Sequence, residues 1–460
     1  MESLSLKEII EALDGEKIKE GKAIRYESVS TDTRTIEENS IFIALKGSNF
    51  NGNDYAADAS KKGARLCIID ELNAQINTFA EDTSVVKVKD GKQALLKLAK
   101  YYRNKLNLKV IGITGSTGKT STKDLVAAVL SEKYKVFKTK GNFNNEIGLP
   151  LMIFKLDSSY DVAVLEMGMS DFGEIHRLAD VASPDIAIIT NIGVSHIEYL
   201  KTRENILKAK LEITDFFNEK NTLIVNSDND LLNKISFDKF NVKKIGLEEK
   251  NVDFYASDII LKDNSIEFRV LEREGILSSN FSVNIPGKHN ILNSLLAIAC
   301  GRQLDLSYEQ MIRGLESLEF TSMRLDVVKG KRFTIIDDCY NASPDSMKAA
   351  LDVIENFNGH RKYAVLGTMK ELGDEAYMLH KEVGEYAKEK GIDVLIVIGE
   401  YDKAFLEGFE NKNKFISFIN NEDAVKYLST VLNIGDIVLV KASRSMKFEE
   451  IVNSLKTINS

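Results

Sequence analysis

Residues 113–122 read ITGSTGKTST and follow the apolar run Val110-Ile111-Gly112. An apolar run that stops at a Gly/Ser/Thr turn reads as a buried strand ending in a tight loop. Gly115 and Gly118, with Ser116 and Thr117 between them, let the backbone turn and aim its N–H groups at an anion. Lys119 adds a mobile positive charge for terminal phosphates, and the Thr120 hydroxyl, with Ser121 beside it, can hold Mg²⁺. Residues 123–130, KDLVAAVL, read as a helix whose N-terminal dipole faces the same anion. The ligand this predicts is a nucleoside triphosphate. Ile113 stands where the longer G-x-x-x-x-G-K-[ST] pattern has its first glycine, which leaves G-x-x-G-K-T. A ligand-free strand-to-helix turn of the same composition is the alternative.

Around this loop the chain runs to 460 residues, too many for one ordinary core and enough for about three domains. Charged residues at 28% and apolar ones at 43% are those of a globular protein. A net charge of -8 argues against non-specific nucleic-acid binding, because phosphate backbones recruit basic surfaces. The three cysteines, Cys67, Cys300 and Cys339, form no C-x-x-C pair, so neither a disulfide framework nor a zinc site is expected. The opening MESLSLKEIIEAL has the pattern of an amphipathic helix rather than a signal peptide. No apolar run approaches the ~18 residues needed to span a bilayer. The expectation is a cytoplasmic protein with no nucleic-acid partner and no membrane insertion.

Three regions separate by pattern: 1–86, 87–320 and 321–460. The first mixes short strands (residues 40–45 and 66–69) with polar turns in a small mixed α/β unit. The second opens with a helix over residues 91–104, then the phosphate loop. Short β-rich runs (135–138, 161–167, 185–191, 222–226) then alternate with helical stretches, which predicts a mostly parallel sheet with crossover helices. A hairpin over 254–270 interrupts the alternation, and a helix over 290–302 closes it. The third region repeats the theme with strands at 334–338, 363–366, 394–398 and 437–441, and helices at 345–356, 374–389 and 422–432. It predicts a second open, Rossmann-like α/β sheet.

In open parallel sheets, ligands gather at the carboxyl ends of strands. Glu166 ends the run 161–165 and precedes Met167-Gly168-Met169, where the chain must turn; a carboxylate there suits Mg²⁺, or is a solvated strand-end acid. His196 follows Asn191 on the loop IITNIGVSHIEYL, as a site residue or a histidine satisfied locally. Lys210 lies in a lysine-rich helical stretch and reads as surface charge. Asn142, Asn144 and Asn145, in KGNFNNEIGLP, suit a loop that hydrogen-bonds a polar ligand or simply turns. Asp337 and Asp338 at a strand end could meet a ribose or a cation, or cap the following helix. Tyr340 and Asn341 follow them, and Arg324, Lys441 and Arg444 could supply cations to phosphate or carboxylate groups.

Together these motifs resemble the Mur ligase family of peptidoglycan synthesis across nearly the whole chain. The carriers are ITGSTGKTST, KGNFNNEIGLPL, LEMGMSDFGEI, TNIGVSHIEYL, AKLEI, PGKHNILNSLLAIA, MRLDV, DDCYNASPDSM and KASRSMKFEE. Within the family, DDCYNASPDSM, GTMKELGDEAYMLH, STDTR and IFIALKGSNFNGNDY resemble the branch that adds a dipeptide amine. No D-N-P-R signature of the diaminopimelate- or lysine-adding branches is found.

The resemblance implies an N-terminal domain holding a UDP end, a central ATPase and a C-terminal domain carrying the incoming amine. It implies that a UDP-N-acetylmuramoyl-tripeptide carboxylate is activated by ATP and Mg²⁺ as an acyl phosphate, then captured by the amine of D-alanyl-D-alanine, in a monomer. Lys119, Glu166, His196 and Lys210 would be catalytic. Thr120, Glu166 and His196 would hold the metal, joined by Lys210 if carbamylated. Asn290 and Asn293 match positions near adenine. Arg324 and Asp338 match a C-terminal pair reaching ATP, and Ser30, Thr31 and Arg34 a uridine-diphosphate region. Tyr340, Asn341, Lys441, Arg444 and the asparagine loop fall on the substrate side. Two departures stand out: Asn53 where many relatives have histidine, and YNASP where YNANP is common.

Folylpolyglutamate synthase, a relative in the wider family, lacks a uridine-nucleotide domain, so residues 1–86 argue against it. A switch or motor ATPase would pair the loop with D-x-x-G or apolar-D-[DE] where this chain has LEMG. A non-catalytic carbohydrate-binding scaffold has no use for Lys119 plus Glu166.

Overall fold

The computed structural model describes all residues except Ile24, Glu274, Glu319, Phe320, Ser322 and Ser460, together with the backbone alone for 275–278. The expected boundary at 320/321 abuts residues outside that description. The protein is an α/β molecule built on three larger sheets that lie in succession along the chain.

The first has five strands in the order Glu16–Lys19, Ser84–Lys87, Ala64–Ile69, Ser40–Ile43 and Ser28–Ser30. Only its first pair is antiparallel. Phe42, Cys67, Ile69, Val85 and the alanines of helix Ala56–Lys61 form its core. A two-stranded pair, Leu4–Ser5 with Arg25–Tyr26, leads into helix Leu6–Leu13, the amphipathic opening helix. Ser5 and Glu8 cap that helix reciprocally.

The second sheet has nine strands. In order they are Gly275–Val283, Ile266–Glu272, Phe254–Leu261, Asn241–Gly246, Thr222–Asn226, Ile186–Ile189, Lys109–Thr114, Val162–Glu166 and Val136–Lys138. The expected hairpin is one strand longer than the reading: Gly275–Val283 pairs with Ile266–Glu272 and makes an antiparallel meander of three. Its sequence, GILSSNFSV, carries three serines and too few alternating apolar residues to announce itself.

The third sheet has six strands: Asp326–Lys329, Thr334–Asp337, Ile437–Lys441, Lys362–Gly367, Val394–Ile398 and Phe415–Phe418. All but the first pair are parallel. Its crossover helices include Pro344–Glu355, Ala376–Glu389 and Asn421–Val431. The four central strands are near-continuous apolar runs because a parallel sheet is covered on both faces.

By density of contacts the chain divides into two compact units. One comprises Met1–Gly112, Tyr134–Ala187 and Glu212–Asn221; the other comprises Ile113–Lys133, Ile188–Leu211 and Thr222–Ser460. Among the described residues no helix is long and apolar enough to cross a membrane. The three cysteines are free and buried.

Candidate active site

Ile113 is fully buried in strand Lys109–Thr114, so the position of the missing glycine is a core position and the loop begins at Gly115. Two glycines make the turn. Gly118 has φ +79° and precedes helix Lys119–Ser131, a conformation other residues adopt only under strain. Gly115 has φ +152°, and a Cβ there would lie 1.8 Å from Thr190 Oγ1.

The loop is held by the end of the neighbouring strand. Thr117 N–H donates to Asn191 Oδ1 at 2.8 Å, and Asn191 Nδ2 donates to Thr117 Oγ1 at 2.8 Å. Thr190 Oγ1 donates to the Thr117 carbonyl, and Ser116 N–H to the Asn191 carbonyl at 3.0 Å. Asn191 thus fixes the loop from outside it, a role the sequence reading gave only to a strand end. Lys119 Nζ donates across the loop to Gly115 O at 2.8 Å. Ser121 sits half-buried in the first helical turn.

Other parts of the same compact unit converge on this helix start. Arg324 donates to Thr120 Oγ1 at 3.0 Å, and its guanidinium stacks 4.2 Å from the centre of the Tyr340 ring. Arg444, exposed in the turn Arg444–Met446, lies 6.0 Å from the same ring and pairs with Glu449 at 3.2 Å. Asn293 Oδ1 accepts from Thr122 Oγ1, and Asn293 Nδ2 donates to Asn290 Oδ1 at 2.9 Å. Asn290 in turn donates to Pro286 O, so both amides are buried and used inside the protein.

Lys210 departs most from its sequence reading. The lysine expected on the surface is 1% exposed, and no described residue gives its ammonium a hydrogen bond or carboxylate partner. Burial, reinforced by the charge of Lys119, holds it well below the ordinary lysine range. His196 sits at φ +66° with Nδ1 2.5 Å from Glu371 Oε2, while Nε2 has no hydrogen bond among the described residues. The imidazole holds the Glu371 carboxyl below the usual carboxylate range.

The expected C-terminal cations are partly spent. Lys441 is 3% exposed and bonded to Asp338 Oδ2 at 2.5 Å and Asn341 O at 3.0 Å, so it is not a loose cation for a substrate. Neither Asp337 nor Asp338 caps the next helix: Ser343 does, one residue before Pro344. Burial raises the Asp337 carboxyl, which accepts from Cys339 Sγ at 2.9 Å.

In the other compact unit, Glu166 is 4% exposed at the end of its strand, and its Oε1 accepts from Asn144 Nδ2 at 2.9 Å. Asn144 O accepts from Gly168 N at 2.8 Å, so the asparagine loop and the LEMG turn support each other. Asn145 Oδ1 turns the chain by accepting from Ile147 and Gly148 N–H, and Asn142 is exposed. Ser30 Oγ accepts from Asp32 N–H and meets Thr35 Oγ1 at 2.9 Å in a polar knot beside half-buried Thr31. Arg34 is exposed and forks onto its own Asp32. Asn53 is 1% exposed; it donates to Asp70 Oδ1 at 2.6 Å and accepts from Asp70 and Glu71 N–H. That residue is a bracket inside the protein.

As donors to Mg²⁺, the Thr120 hydroxyl and the Glu166 carboxylate are hard oxygens that fit the ion, and an imidazole is a weaker one. A lysine amine does not fit unless it is converted to an oxygen donor. Among the described residues no three His, Cys, Asp or Glu side chains cluster as a protein-only cage.

Three family models match in succession: Mur ligase family, catalytic domain over residues 25–103; Mur ligase middle domain over 113–301; and Mur ligase, glutamate ligase domain over 323–444. The UDP-N-acetylmuramoyl-tripeptide–D-alanyl-D-alanine ligase of Bacillus subtilis is 40% identical over 433 residues, 93% of this chain and 92% of its own. A crystal structure of MurF from Acinetobacter baumannii superposes with a TM-score of 0.91 at 29% identity, covering 99% of both chains. MurF ligase from Thermotoga maritima in complex with ADP superposes with a TM-score of 0.83 at 30% identity, covering 94% of this chain and 97% of that one.

Proposed function

The chain belongs to the Mur ligase family, and on that premise we propose that it joins D-alanyl-D-alanine to UDP-N-acetylmuramoyl-tripeptide with ATP, in peptidoglycan precursor synthesis. One observation carries the reading: a D-alanyl-D-alanine-adding relative matches 93% of the chain at 40% identity, not the ATPase part alone. In this reading residues 1–86 hold the UDP end through Ser30, Thr31 and Arg34, residues 87–320 bind ATP, and residues 321–460 carry the dipeptide. A monomer is part of the same proposal. Both ATP and a UDP-linked precursor are cytoplasmic metabolites, which supports a cytoplasmic enzyme.

The tripeptide carboxylate attacks the γ-phosphorus of ATP, and ADP leaves. The amine of D-alanyl-D-alanine then attacks the acyl carbon, loses a proton, and phosphate departs with the electrons of the broken C–O bond. Such chemistry asks for charge neutralisation and alignment more than for a strong base. The N–H groups of 115–120 wrap the phosphates on a loop already shaped by Asn191. Lys119 exchanges its Gly115 carbonyl for a phosphate oxygen. Arg324, held flat by Tyr340, brings a second cation to the Thr120 end of the loop. Asn290 and Asn293 support the loop's helix from the adenine side. Thr120, Glu166 and His196 are the candidate holders of Mg²⁺, which would supply neutralising charge to the phosphates.

Lys210 supports a fourth ligand. A buried amine kept uncharged is nucleophilic: its lone pair adds to CO₂, Nζ loses a proton, and the product is a carbamate with two oxygen donors.

The test is phosphate release from ATP with each component omitted in turn, using lysine- and diaminopimelate-containing tripeptide nucleotides. Release that requires both a tripeptide nucleotide and D-alanyl-D-alanine is expected. Turnover indifferent to either would sink the proposal.

A further inference from the structure

The loop of residues 190–198 carries His196 and is gripped from two sides. On one side Gly193 N–H donates to Ser116 Oγ at 2.9 Å, Ser195 Oγ donates to Ser116 O at 3.3 Å, and Asn191 holds Thr117. On the other side it meets the stretch GTMKELGDE and the start of helix Pro344–Glu355. Glu198 N–H donates to Glu371 O at 3.4 Å, and a Cβ on Gly373 would touch Glu198 at 3.3 Å. The Asp345 carboxylate lies so close that a Cβ on Gly193 would sit 1.8 Å from its Oδ2.

At the centre of this contact His196 Nδ1 meets Glu371 Oε2 at 2.5 Å. Both residues sit in the left-handed region, at φ +66° and +64°. Two non-glycine residues in that conformation persist only where their surroundings hold them. The Glu371 carboxylate lies within ion-pair distance of Nδ1 without an aligned hydrogen bond, so it contacts one edge of the ring and leaves Nε2 with no hydrogen bond among the described residues.

We propose that Glu371 is a positioning residue: it fixes the His196 ring from its Nδ1 edge so that Nε2 faces the divalent cation, making metal affinity depend on the C-terminal segment. The inference rests on the proposed metal role of His196. A carboxylate behind a ligating imidazole orients the ring and raises its basicity, and losing it weakens metal binding roughly 10–100-fold.

Mn²⁺ is the probe, titrated by electron paramagnetic resonance into the full-length protein with ADP. The set is the parent protein, Glu371→Ala, Glu371→Gln and His196→Ala, with ADP affinity measured in EDTA for each. Glu371→Ala is expected to weaken Mn²⁺ binding about 10-fold or more. Glu371→Gln, which keeps an acceptor oxygen and the side-chain volume, should lose less. Metal-free ADP affinity should stay within twofold throughout, which a collapsed loop would not allow. If His196→Ala weakens Mn²⁺ binding but both Glu371 variants match the parent, the positioning role is overturned and the metal role of His196 stands. If His196→Ala leaves Mn²⁺ binding unchanged, the metal role falls and the inference with it. If Glu371→Ala disturbs metal-free ADP binding, Glu371→Gln decides: Mn²⁺ affinity weakened supports the proposal, and affinity unchanged overturns it.

Discussion

Replacing Asn191 with alanine should damage ATP binding without touching any residue of the phosphate loop itself. Asn191 makes two side-chain hydrogen bonds to Thr117, each 2.8 Å, one accepting from the loop N–H and one donating to its hydroxyl. A net hydrogen bond is worth about 1–1.5 kcal/mol, so losing both costs the ordered loop about 2–3 kcal/mol. If the loop must be ordered to bind phosphate, that cost passes to the ground-state complex, and KM for ATP rises roughly 30–150-fold at 1.4 kcal/mol per decade. Thr117→Val removes only the hydroxyl's bond, about 1 kcal/mol, and should raise KM about fivefold. Asn191→Asp keeps the shape and the acceptor for the Thr117 N–H, but it turns the donor to the Thr117 hydroxyl into an acceptor and places a negative charge beside the loop. It should therefore leave thermal stability near the parent value, raise KM for ATP strongly, and recover partly in high salt. The assay is phosphate release at saturating tripeptide nucleotide and dipeptide, with a thermal melt for each variant. A folded Asn191→Ala protein whose KM for ATP lies within twofold of the parent would refute the idea that the loop is organised from Asn191.

Asn53→Ala should lower stability by about 2–3 kcal/mol, because it strips a buried amide from Asp70 and leaves the Asp70 and Glu71 N–H groups without their acceptor; chemical denaturation measures it, and a change below 0.5 kcal/mol contradicts the bracket role. Glu8 is held down to about 2 by Lys105, helped by Ser5, so its contribution is present above its unfolded value near 4.5 and is lost as pH falls toward 2. Since the pair is part-exposed, Glu8→Gln should cost no more than about 1 kcal/mol at pH 7 and almost nothing at pH 2, read from urea midpoints at the two pH values. For Lys210 the sign is opposite. An amine whose folded value is lowered leaves the unfolded state binding the extra proton, so stability rises with pH up to the unfolded value near 10.5. Lys210→Met should therefore be more stable than the CO₂-free parent at pH 7, with the gap closing as pH approaches 10.5, yet inactive; retained activity would refute the carbamate role.

The sequence was most legible where backbone geometry is fixed by few residues. Gly115 and Gly118 announce a loop because almost nothing else adopts their dihedral angles, and Val162–Glu166 or Val394–Ile398 announce buried parallel strands by unbroken apolar runs. It was least legible where a side chain's role depends on what packs over it. Lys210 sits among lysines, and Lys208 two residues away does lie near the surface. A signal was present: Ile206 is buried four residues before Lys210, one helical turn away on the same face of the helix. Asn191 and Glu371 carried no such pattern, because each acts on a residue distant in the chain.

These two residues also explain why the site depends on more than its phosphate loop. The segment of residues 190–198 touches Ser116 and Thr117 through Asn191, Gly193 and Ser195, and touches the C-terminal region through Gly193, His196 and Glu198. Arg324 repeats the connection at Thr120. An acyl phosphate is prone to hydrolysis, so a ligase gains by being fully assembled only when the part carrying the amine is docked. The short G-x-x-G-K-T loop at 115–120 is thus braced by the TNIGVSH stretch, whose other face meets the C-terminal region through His196 and Glu198.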